Sequence, residues 1–224
     1  MAIENNKCWL TKNCNHIDCD KFCLRLYKLD YLYNQAFVNL PQRERINLYL
    51  DSNKCDYDNF VRLKKMEEDI LNFVNTGTNL YIHSKTCGNG KTAWSLRLLQ
   101  AYFDKIWYKS ELKCKALFIE VPRFLLALKD NIATCSDYVQ HIKDNVLDCD
   151  LVIWDEIGTK GLTQFEHENI LNLINARINA GKSNIYTSNL DDSELHLALG
   201  DRLHSRIVNY SVDIVLYGKD KRGL

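Results

Sequence analysis

The stretch of sequence that decides the fold reads Gly88-Asn89-Gly90-Lys91-Thr92. Residues 79–83 before it form a short apolar run typical of a buried strand, and the apolar side chains of residues 93–102 after it recur at helical spacing. A glycine-rich turn between strand and helix lets backbone N–H groups approach an anion at the helix N-terminus. We therefore predict a phosphate-binding loop, in which Lys91 reaches the β- and γ-phosphate oxygens of a nucleotide and the Thr92 hydroxyl ligates Mg²⁺.

This loop departs from the full phosphate-loop pattern at one position. Six residues before Lys91, where the pattern has glycine, the chain has Lys85. A glycine-rich connection that binds no nucleotide is the alternative interpretation of such a motif. A second motif is needed to choose between the two.

The second motif is an apolar run that ends in two carboxylates, Leu151-Val152-Ile153-Trp154-Asp155-Glu156. A continuous apolar run is typical of a strand buried in a parallel sheet, and ligands of such sheets bind at the carboxyl ends of the strands. We predict that Asp155 holds Mg²⁺ through water and that Glu156 orients and polarises the attacking water. The alternative is a strand that ends in a solvated acidic turn. With both motifs present in this order, the sequence predicts nucleotide hydrolysis as well as binding.

Strands and helices alternate along the chain. The predicted strands are residues 79–83, 115–121, 151–156, 184–188 and 212–217. Helical spacing predicts further helices over residues 60–75, 136–148 and 164–180. This alternation predicts a parallel sheet with right-handed crossovers, and thus an α/β fold of three layers. The 224 residues, 46% of them hydrophobic, suffice for one such core with a small appendage.

Charge and hydropathy exclude several classes of protein. The 29 basic and 29 acidic side chains give a net charge of zero, so there is no global electrostatic signature of a duplex-DNA-binding protein. Any nucleic-acid surface must therefore be local. The sequence contains no apolar run near the roughly 18 residues of a membrane span, and its N-terminus lacks the apolar region of a signal peptide. We predict a cytosolic protein with no membrane partner.

The N-terminal segment, residues 1–40, is rich in cysteine. Its candidate metal ligands are Cys8, Cys14, His16, Cys19 and Cys23. Tetrahedral zinc needs four such donors, so we predict a structural zinc site that uses four of these five side chains. The alternative is a short helix with reduced thiols, because residues 18–32 also have amphipathic spacing. Pro41 marks the predicted boundary with a core of residues 41–224.

Two further features lie after the acidic strand. Asn189 follows the strand predicted at residues 184–188, where a polar side chain would lie beside the γ-phosphate. Its alternative role is that of a turn or helix cap. Arg202 and Arg206 lie four residues apart, on one face of a helix. The functional interpretation is that one of these arginines contacts the nucleotide of a neighbouring subunit. The alternative is that both are ordinary surface side chains, either solvated or ion-paired.

Together these motifs resemble those of AAA+ replication ATPases of the DnaC and DnaI helicase-loader type, especially the short phage-encoded loaders. IstB-like transposition helpers and the core of the DnaA initiator are relatives of this group. The resemblance covers roughly residue 40 to the C-terminus. It implies a nucleotide-binding loop, the Walker A motif, formed by Gly88, Asn89, Gly90, Lys91, Thr92 and Ala93.

The same resemblance implies roles for the remaining site residues. Asp155 and Glu156 match the Walker B motif, and Asn189 matches sensor 1. Arg206 matches the arginine finger that acts in trans, with Arg202 beside it at the nucleotide. The final strand is followed by only a few residues, so the resemblance is to loaders without the C-terminal helical lid domain of many AAA+ proteins.

The resemblance implies an ATPase with ATP or ADP and Mg²⁺ as ligands. It would load a hexameric replicative helicase onto single-stranded DNA in the bacterial host cytosol, and it would assemble into a homo-oligomer on binding ATP. The N-terminal Cys/His segment would be the part that docks on the helicase. Two other functions remain open. One is an IstB-like transposition helper that clamps duplex DNA for a recombinase, and the other is an adaptor that binds nucleotide without hydrolysing it.

Overall fold

The structure is a computed structural model that describes residue 10 and residues 23–37, 54–130, 136–159 and 161–220. Its helices are α1 (Leu24–Ala36), α2 (Tyr57–Glu68), α3 (Ile70–Asn75), α4 (Lys91–Ile106), α5 (Val121–Asp130), α6 (Asp137–Asn145), α7 (Gln164–Asn179) and α8 (Asp192–Val208). Its strands are β1 (Asn79–His83), β2 (Ala116–Glu120), β3 (Leu151–Asp155), β4 (Ser183–Ser188) and β5 (Ser211–Val215). Short 3₁₀ helices at Lys54–Asp56 and Trp107–Lys109 precede α2 and follow α4.

The five strands of the described chain form one parallel sheet in the order β2-β3-β4-β1-β5. The chain passes from β1 to the far edge at β2, returns through β3 and β4, and then adds β5 on the other side of β1. Ligands of open parallel sheets bind where the strand order reverses, beyond the carboxyl ends of the strands. That point lies here at the ends of β1, β4 and β3, where the loop after β1 and the acidic residues of β3 meet.

Helices cover both faces of the sheet, because side chains along each strand alternate between two cores. On one face, Leu80 and Ile82 of β1 pack with buried residues of α1 to α4. On the other face, Tyr81 of β1 and Trp154 of β3 pack with buried residues of α5 to α8. The three-layer α/β architecture predicted from the sequence is thus confirmed.

Helix α1 packs on the first of these cores. Leu29 and Leu32 are fully buried in it. The rings of Tyr33 and Phe103 in α4 pack edge to face, with their centroids 5.0 Å apart. The ring centroids of Phe37 and of Phe118 in β2 lie 5.2 Å apart. The described part of the N-terminal segment is therefore anchored on the sheet through aromatic contacts. The boundary predicted at Pro41 lies outside the described residues.

The chain departs from the predicted helices at two points. The helix predicted over residues 60–75 is two helices, because Asp69 between α2 and α3 has non-helical dihedral angles (φ −102°, ψ 33°). Within α8, Gly200 has φ +72° and ψ 164°, a conformation that favours glycine and kinks the helix ahead of Arg202. No helix among the described residues is long and apolar enough to cross a membrane.

Candidate nucleotide-binding site

The phosphate loop is defined as residues 84–91, which are the loop between β1 and α4 and the first residue of α4. Gly88 and Gly90 have φ values of +71° and +111°, so glycine is required for the local path of the backbone. Lys85 does not have a positive φ, so the absence of glycine there causes no backbone strain. The Asn89 side chain fixes the loop, because its Nδ2 donates to Ser84 Oγ at 2.7 Å and to the Leu216 carbonyl at 3.0 Å.

Lys91 is the first residue of α4 and is buried. Its Nζ donates to the Thr86 carbonyl at 2.8 Å and to Asn89 Oδ1 at 3.2 Å. The ammonium group therefore lies within the curve of the phosphate loop, at the N-terminus of a helix of 16 residues. Both the helix terminus and the ammonium group favour an anion at this position.

The contact between α4 and β3 joins the two sequence motifs. Thr92 Oγ1 donates to Asp155 Oδ1 at 2.9 Å, and Thr187 Oγ1 of β4 donates to the same oxygen at 2.7 Å. Asp155 is 3% exposed, and burial raises the pKa of its carboxyl to about 6. A hydroxyl and a carboxylate are hard oxygen ligands of the kind that Mg²⁺ prefers, so these residues fit a magnesium site.

Glu156 follows β3 in a left-handed turn with φ +59°, which is uncommon for a residue other than glycine. Its backbone N–H donates to Thr187 Oγ1 at 3.0 Å, and its side chain is exposed. The turn thus places an accessible carboxylate directly after the buried Asp155. An exposed carboxylate beside a phosphate site has the chemistry needed to orient water.

Asn189 lies directly after β4, next to the phosphate loop. The backbone N–H of Ser84 donates to the Ser188 carbonyl at 3.2 Å, which joins the two segments. Asn189 is half-buried, and its side chain makes no hydrogen bond with another described residue. A side-chain amide at this strand end is therefore available to a ligand.

The two arginines of α8 differ in exposure. Arg202 is exposed, and Arg206 is half-buried with its guanidinium 5.2 Å from the ring centroid of Tyr210. Neither arginine contacts the phosphate loop or Asp155 within the part of the chain that the structure describes. The structure therefore joins Thr92 to Asp155 by a hydrogen bond, with Lys91 next to Thr92, and brings neither arginine into contact with these described residues.

Two contacts at the site were not predicted from the sequence. One is the contact of the Thr187 hydroxyl with Asp155 and Glu156. A signal for it was present in the sequence, because Thr187 lies two residues before Asn189 on a strand that was predicted to end at the site. The other is Lys85, whose Nζ lies 2.7 Å from Asp191 and 3.5 Å from Glu194 at the start of α8. Asp191 and Glu194 form the capping box of α8, and Lys85 joins that cap to the phosphate loop.

The predicted zinc ligands Cys8, Cys14, His16 and Cys19 lie outside the described residues. Cys23 is described, and its sulfur accepts a hydrogen bond from the Leu26 N–H as the N-cap of α1. Residues 10, 23–37, 54–130, 136–159 and 161–220 contain no group of three or more histidine, cysteine or acidic side chains arranged to hold a metal ion. The zinc site stays a prediction.

The sheet order, the phosphate loop and the Thr92 to Asp155 contact define a phosphate-loop protein of the AAA+ type. Sequence comparison agrees with this class. The model of the family described as IstB-like ATP binding protein matches residues 56–210, and the chain belongs to that ATP-binding family. None of the curated proteins compared matches the chain.

Solved structures share the fold at low sequence identity. The DnaC helicase loader is 21% identical with a TM-score of 0.62, over 76% of this chain and 95% of that one. A putative primosome component from Streptococcus pyogenes is 18% identical with a TM-score of 0.62, over 86% and 98% of the two chains. DnaI is 19% identical with a TM-score of 0.61, over 80% and 96%. At these identities the similarity establishes the fold.

Proposed function

We propose that this protein is an ATPase whose nucleotide state controls the loading of a replicative helicase onto single-stranded DNA. The observation that carries the proposal is the hydrogen bond from Thr92 to Asp155. It joins the residue after the phosphate-loop lysine to the acidic strand, at the one sheet edge where Glu156 is also exposed. Binding and hydrolysis of ATP need these groups together.

ATP would bind with its phosphates in the phosphate loop. Lys91 now donates to a carbonyl and an amide oxygen, and it would exchange these neutral acceptors for the β- and γ-phosphate oxygens. The backbone N–H groups of residues 88–93 would donate to the same anion at the N-terminus of α4. Gly88, Gly90 and Ala93 place little or no side chain between these donors and the phosphates.

Thr92 and Asp155 would hold Mg²⁺, Thr92 directly and Asp155 through water. When bound, this ion neutralises charge that develops on the phosphate oxygens. Glu156 would accept a hydrogen bond from the attacking water and polarise it. Asn189, at the end of the neighbouring strand, would contact the γ-phosphate or that water and sense its loss.

Arg206, with Arg202 beside it, would act on the nucleotide of an adjacent subunit. The exposure of Arg202 and the partial exposure of Arg206 support this role, because an arginine that acts in trans must be accessible to a neighbouring subunit. The proposal implies a homo-oligomer that forms on ATP binding. It also implies slow hydrolysis by the monomer and faster hydrolysis after assembly.

Two candidate functions differ in the form of DNA that the assembled ATPase binds and in its protein partner. The similarity of fold to the DnaC helicase loader and to DnaI supports loading of a hexameric helicase onto single-stranded DNA. The family match supports a second candidate, an IstB-like helper that clamps duplex DNA for a recombinase. If the protein is a helicase loader, the N-terminal Cys/His segment at residues 1–40 would dock on the helicase.

The test is co-elution of the purified protein with the replicative helicase of its host on a sizing column. Samples contain ATP or ADP, with single-stranded or duplex DNA. Lys91→Ala removes the phosphate contact, and Lys105→Ala at the exposed end of the same helix is the matched control. We expect ATP-dependent co-elution with the helicase and single-stranded DNA for the wild type and Lys105→Ala, and none for Lys91→Ala.

Other outcomes select the other functions. ATP-dependent binding of duplex DNA without helicase would overturn the loader in favour of the transposition helper. Helicase binding that is equal in ATP, in ADP and in Lys91→Ala would contradict control by nucleotide and favour the adaptor.

A further inference from the structure

Thr187, the second-last residue of β4, connects the two acidic residues of the candidate site. Its side chain is buried, with 1% of its surface exposed. The hydroxyl donates to Asp155 Oδ1 at 2.7 Å and accepts the backbone N–H of Glu156 at 3.0 Å. The same hydroxyl group is therefore a hydrogen-bond donor to Asp155 and a hydrogen-bond acceptor for Glu156, which are adjacent residues of the candidate site.

The main chain around Thr187 holds the same turn. The Ile157 N–H donates to the Thr187 carbonyl at 2.9 Å, and the Ser188 hydroxyl donates to the Ile157 carbonyl at 2.8 Å. The end of β4 therefore fixes the turn after β3 through both backbone and side chains. This support matters because the left-handed conformation of Glu156, with φ +59°, is unfavourable for a residue other than glycine.

We propose that Thr187 is a positioning residue, which orients the Asp155 carboxylate and the Glu156 turn together for Mg²⁺-dependent nucleotide chemistry. This inference rests on the function proposed above for the site. It adds a buried side chain of β4 to the phosphate loop and the acidic strand, which the two sequence motifs identify.

The geometry explains why a hydroxyl is needed at this position. Thr92 and Thr187 donate to the same carboxylate oxygen from α4 and β4, so two elements restrain the position of Asp155 Oδ1. No described residue donates a hydrogen bond to the other oxygen, Oδ2, which leaves that oxygen for the hydration shell of a metal ion. Without the Thr187 hydroxyl, Asp155 Oδ1 keeps the donor of Thr92 alone, and the partly buried N–H of Glu156 loses its acceptor.

The test compares three substitutions in the full chain. Thr187→Val keeps the branched shape and removes the hydroxyl, and Thr187→Ser keeps the hydroxyl. Ser183→Ala is the matched control, because it removes a buried hydroxyl from the opposite end of the same strand, where Oγ donates to the Phe73 carbonyl at 3.0 Å. Two quantities are measured, the Mg²⁺ concentration that half-saturates the gain in ATP affinity, and kcat for hydrolysis with helicase and DNA present.

We expect the half-saturating Mg²⁺ concentration to rise about tenfold in Thr187→Val, since a lost hydrogen bond to a charged group costs on the order of 1.5 kcal/mol or more. The kcat should fall at least as far, because the Glu156 turn is released as well. Thr187→Ser should stay within about threefold of the wild type in both quantities. Ser183→Ala should lower the melting temperature and leave the Mg²⁺ requirement unchanged.

The proposal is overturned if Thr187→Val keeps the Mg²⁺ requirement of the wild type, or if Thr187→Ser is as impaired as Thr187→Val. If Thr187→Val does not fold, Thr187→Ala removes the same hydroxyl with less bulk and takes its place. Failure of the proposed ATPase is distinguishable, because it would appear as absent hydrolysis in the wild type. The Mg²⁺ dependence of ATP binding tests Thr187 even in that case.

Discussion

The two ends of the β-sheet use buried polar groups in opposite ways. At the amino end, the buried guanidinium of Arg177 donates to Asn184 Oδ1 at 2.7 Å and to the carbonyls of Val146, Cys149 and Ser183 at 2.6 to 2.9 Å. At the carboxyl end, the buried carboxylate of Asp155 accepts hydrogen bonds from two hydroxyls. It forms no ion pair with a cationic side chain of the described residues. Burial is unfavourable for both charges, because it lowers the pKa of Arg177 and raises that of Asp155. The two ends differ in pairing, since Arg177 donates to oxygen atoms of four residues and Asp155 accepts from two hydroxyls.

We relate this difference to two roles, which are stabilisation of the fold at the amino end and the proposed nucleotide chemistry at the carboxyl end. The amino end joins α7, β4 and the loop before β3, and Asn184 Nδ2 extends the network to Asn79 of β1 at 2.9 Å. The carboxyl end also contains the left-handed Glu156. Strained backbone and incompletely paired charges are typical of functional sites, where the rest of the fold must offset their cost.

The largest expected effect is on the amino end. Arg177→Leu would remove the guanidinium donor from the buried carbonyls of Val146, Cys149 and Ser183. The Asn184 Oδ1 would keep its hydrogen bond from Trp154 Nε1. We expect the free energy of unfolding to fall by at least about 3 kcal/mol, because each unpaired buried acceptor costs about 1–3 kcal/mol. Urea denaturation followed by circular dichroism measures the change.

Lys182→Met is the control for that substitution. Lys182 is partly exposed and donates to Asp150 Oδ1 at 3.0 Å, so its loss should cost no more than about 1 kcal/mol. Equal losses from Arg177→Leu and Lys182→Met would show that the amino-end network does not stabilise the sheet in the way described.

The second effect has the opposite sign and lies at the carboxyl end. The pKa of Asp155 is raised from 3.8 to about 6, so the folded state binds the proton more tightly than the unfolded chain does. Its contribution to stability therefore falls as the pH rises from about 4 to about 6, and the full cost is present above pH 6. Asp155→Asn removes that cost and keeps an oxygen that accepts from Thr92 and Thr187.

We expect Asp155→Asn to be more stable than the wild type at pH 8, without Mg²⁺ or nucleotide, by up to about 3 kcal/mol. The difference should shrink on lowering the pH from 6 toward 4, and Mg²⁺ should no longer increase the affinity for ATP. Denaturation curves at several pH values check this. A variant less stable than the wild type at pH 8 would contradict the contrast between the two ends.

The smallest effect concerns the two lysines of the phosphate loop. Lys85 is exposed and pairs with Asp191 and Glu194, and exposed ion pairs contribute little to stability. We expect Lys85→Ala to leave the melting temperature within about 2 °C of the wild type and the affinity for ATP within about threefold. Lys91→Ala, measured beside it by calorimetric titration, should abolish measurable ATP binding. A large loss of ATP affinity in Lys85→Ala would contradict this expectation and would show that the contact between Lys85 and the N-terminal cap of α8 contributes to nucleotide binding.

The sequence was sufficient to predict the elements that carry the site. The acidic strand predicted at residues 151–156 is confirmed as β3, because a continuous apolar run has few alternatives to a buried parallel strand. The strand predicted at residues 79–83 is confirmed as β1 with the same bounds. Short-range patterns of apolar residues and glycines determine both.

Features that depend on contacts between distant residues could not be predicted in this way. Arg177 lies on a helix whose pattern is amphipathic, and only the packing of α7 on the sheet buries its guanidinium. The role of Thr187 likewise depends on the pairing of β3 with β4. The kink at Gly200 and the break at Asp69 were not predicted either, because the apolar spacing runs through both positions. The zinc site and the arginine finger stay predictions.

The most direct test of the account is ATP hydrolysis by the wild type and by Glu156→Gln, with ATP binding measured in the same preparations. Glu168→Gln, at an exposed position on α7, is the matched control. The account predicts that Glu156→Gln binds Mg²⁺ and ATP within about threefold of the wild type but hydrolyses ATP at least about 100-fold more slowly, with Glu168→Gln unaffected. Equal rates in Glu156→Gln and the wild type, or no hydrolysis by the wild type with helicase and DNA present, would contradict it.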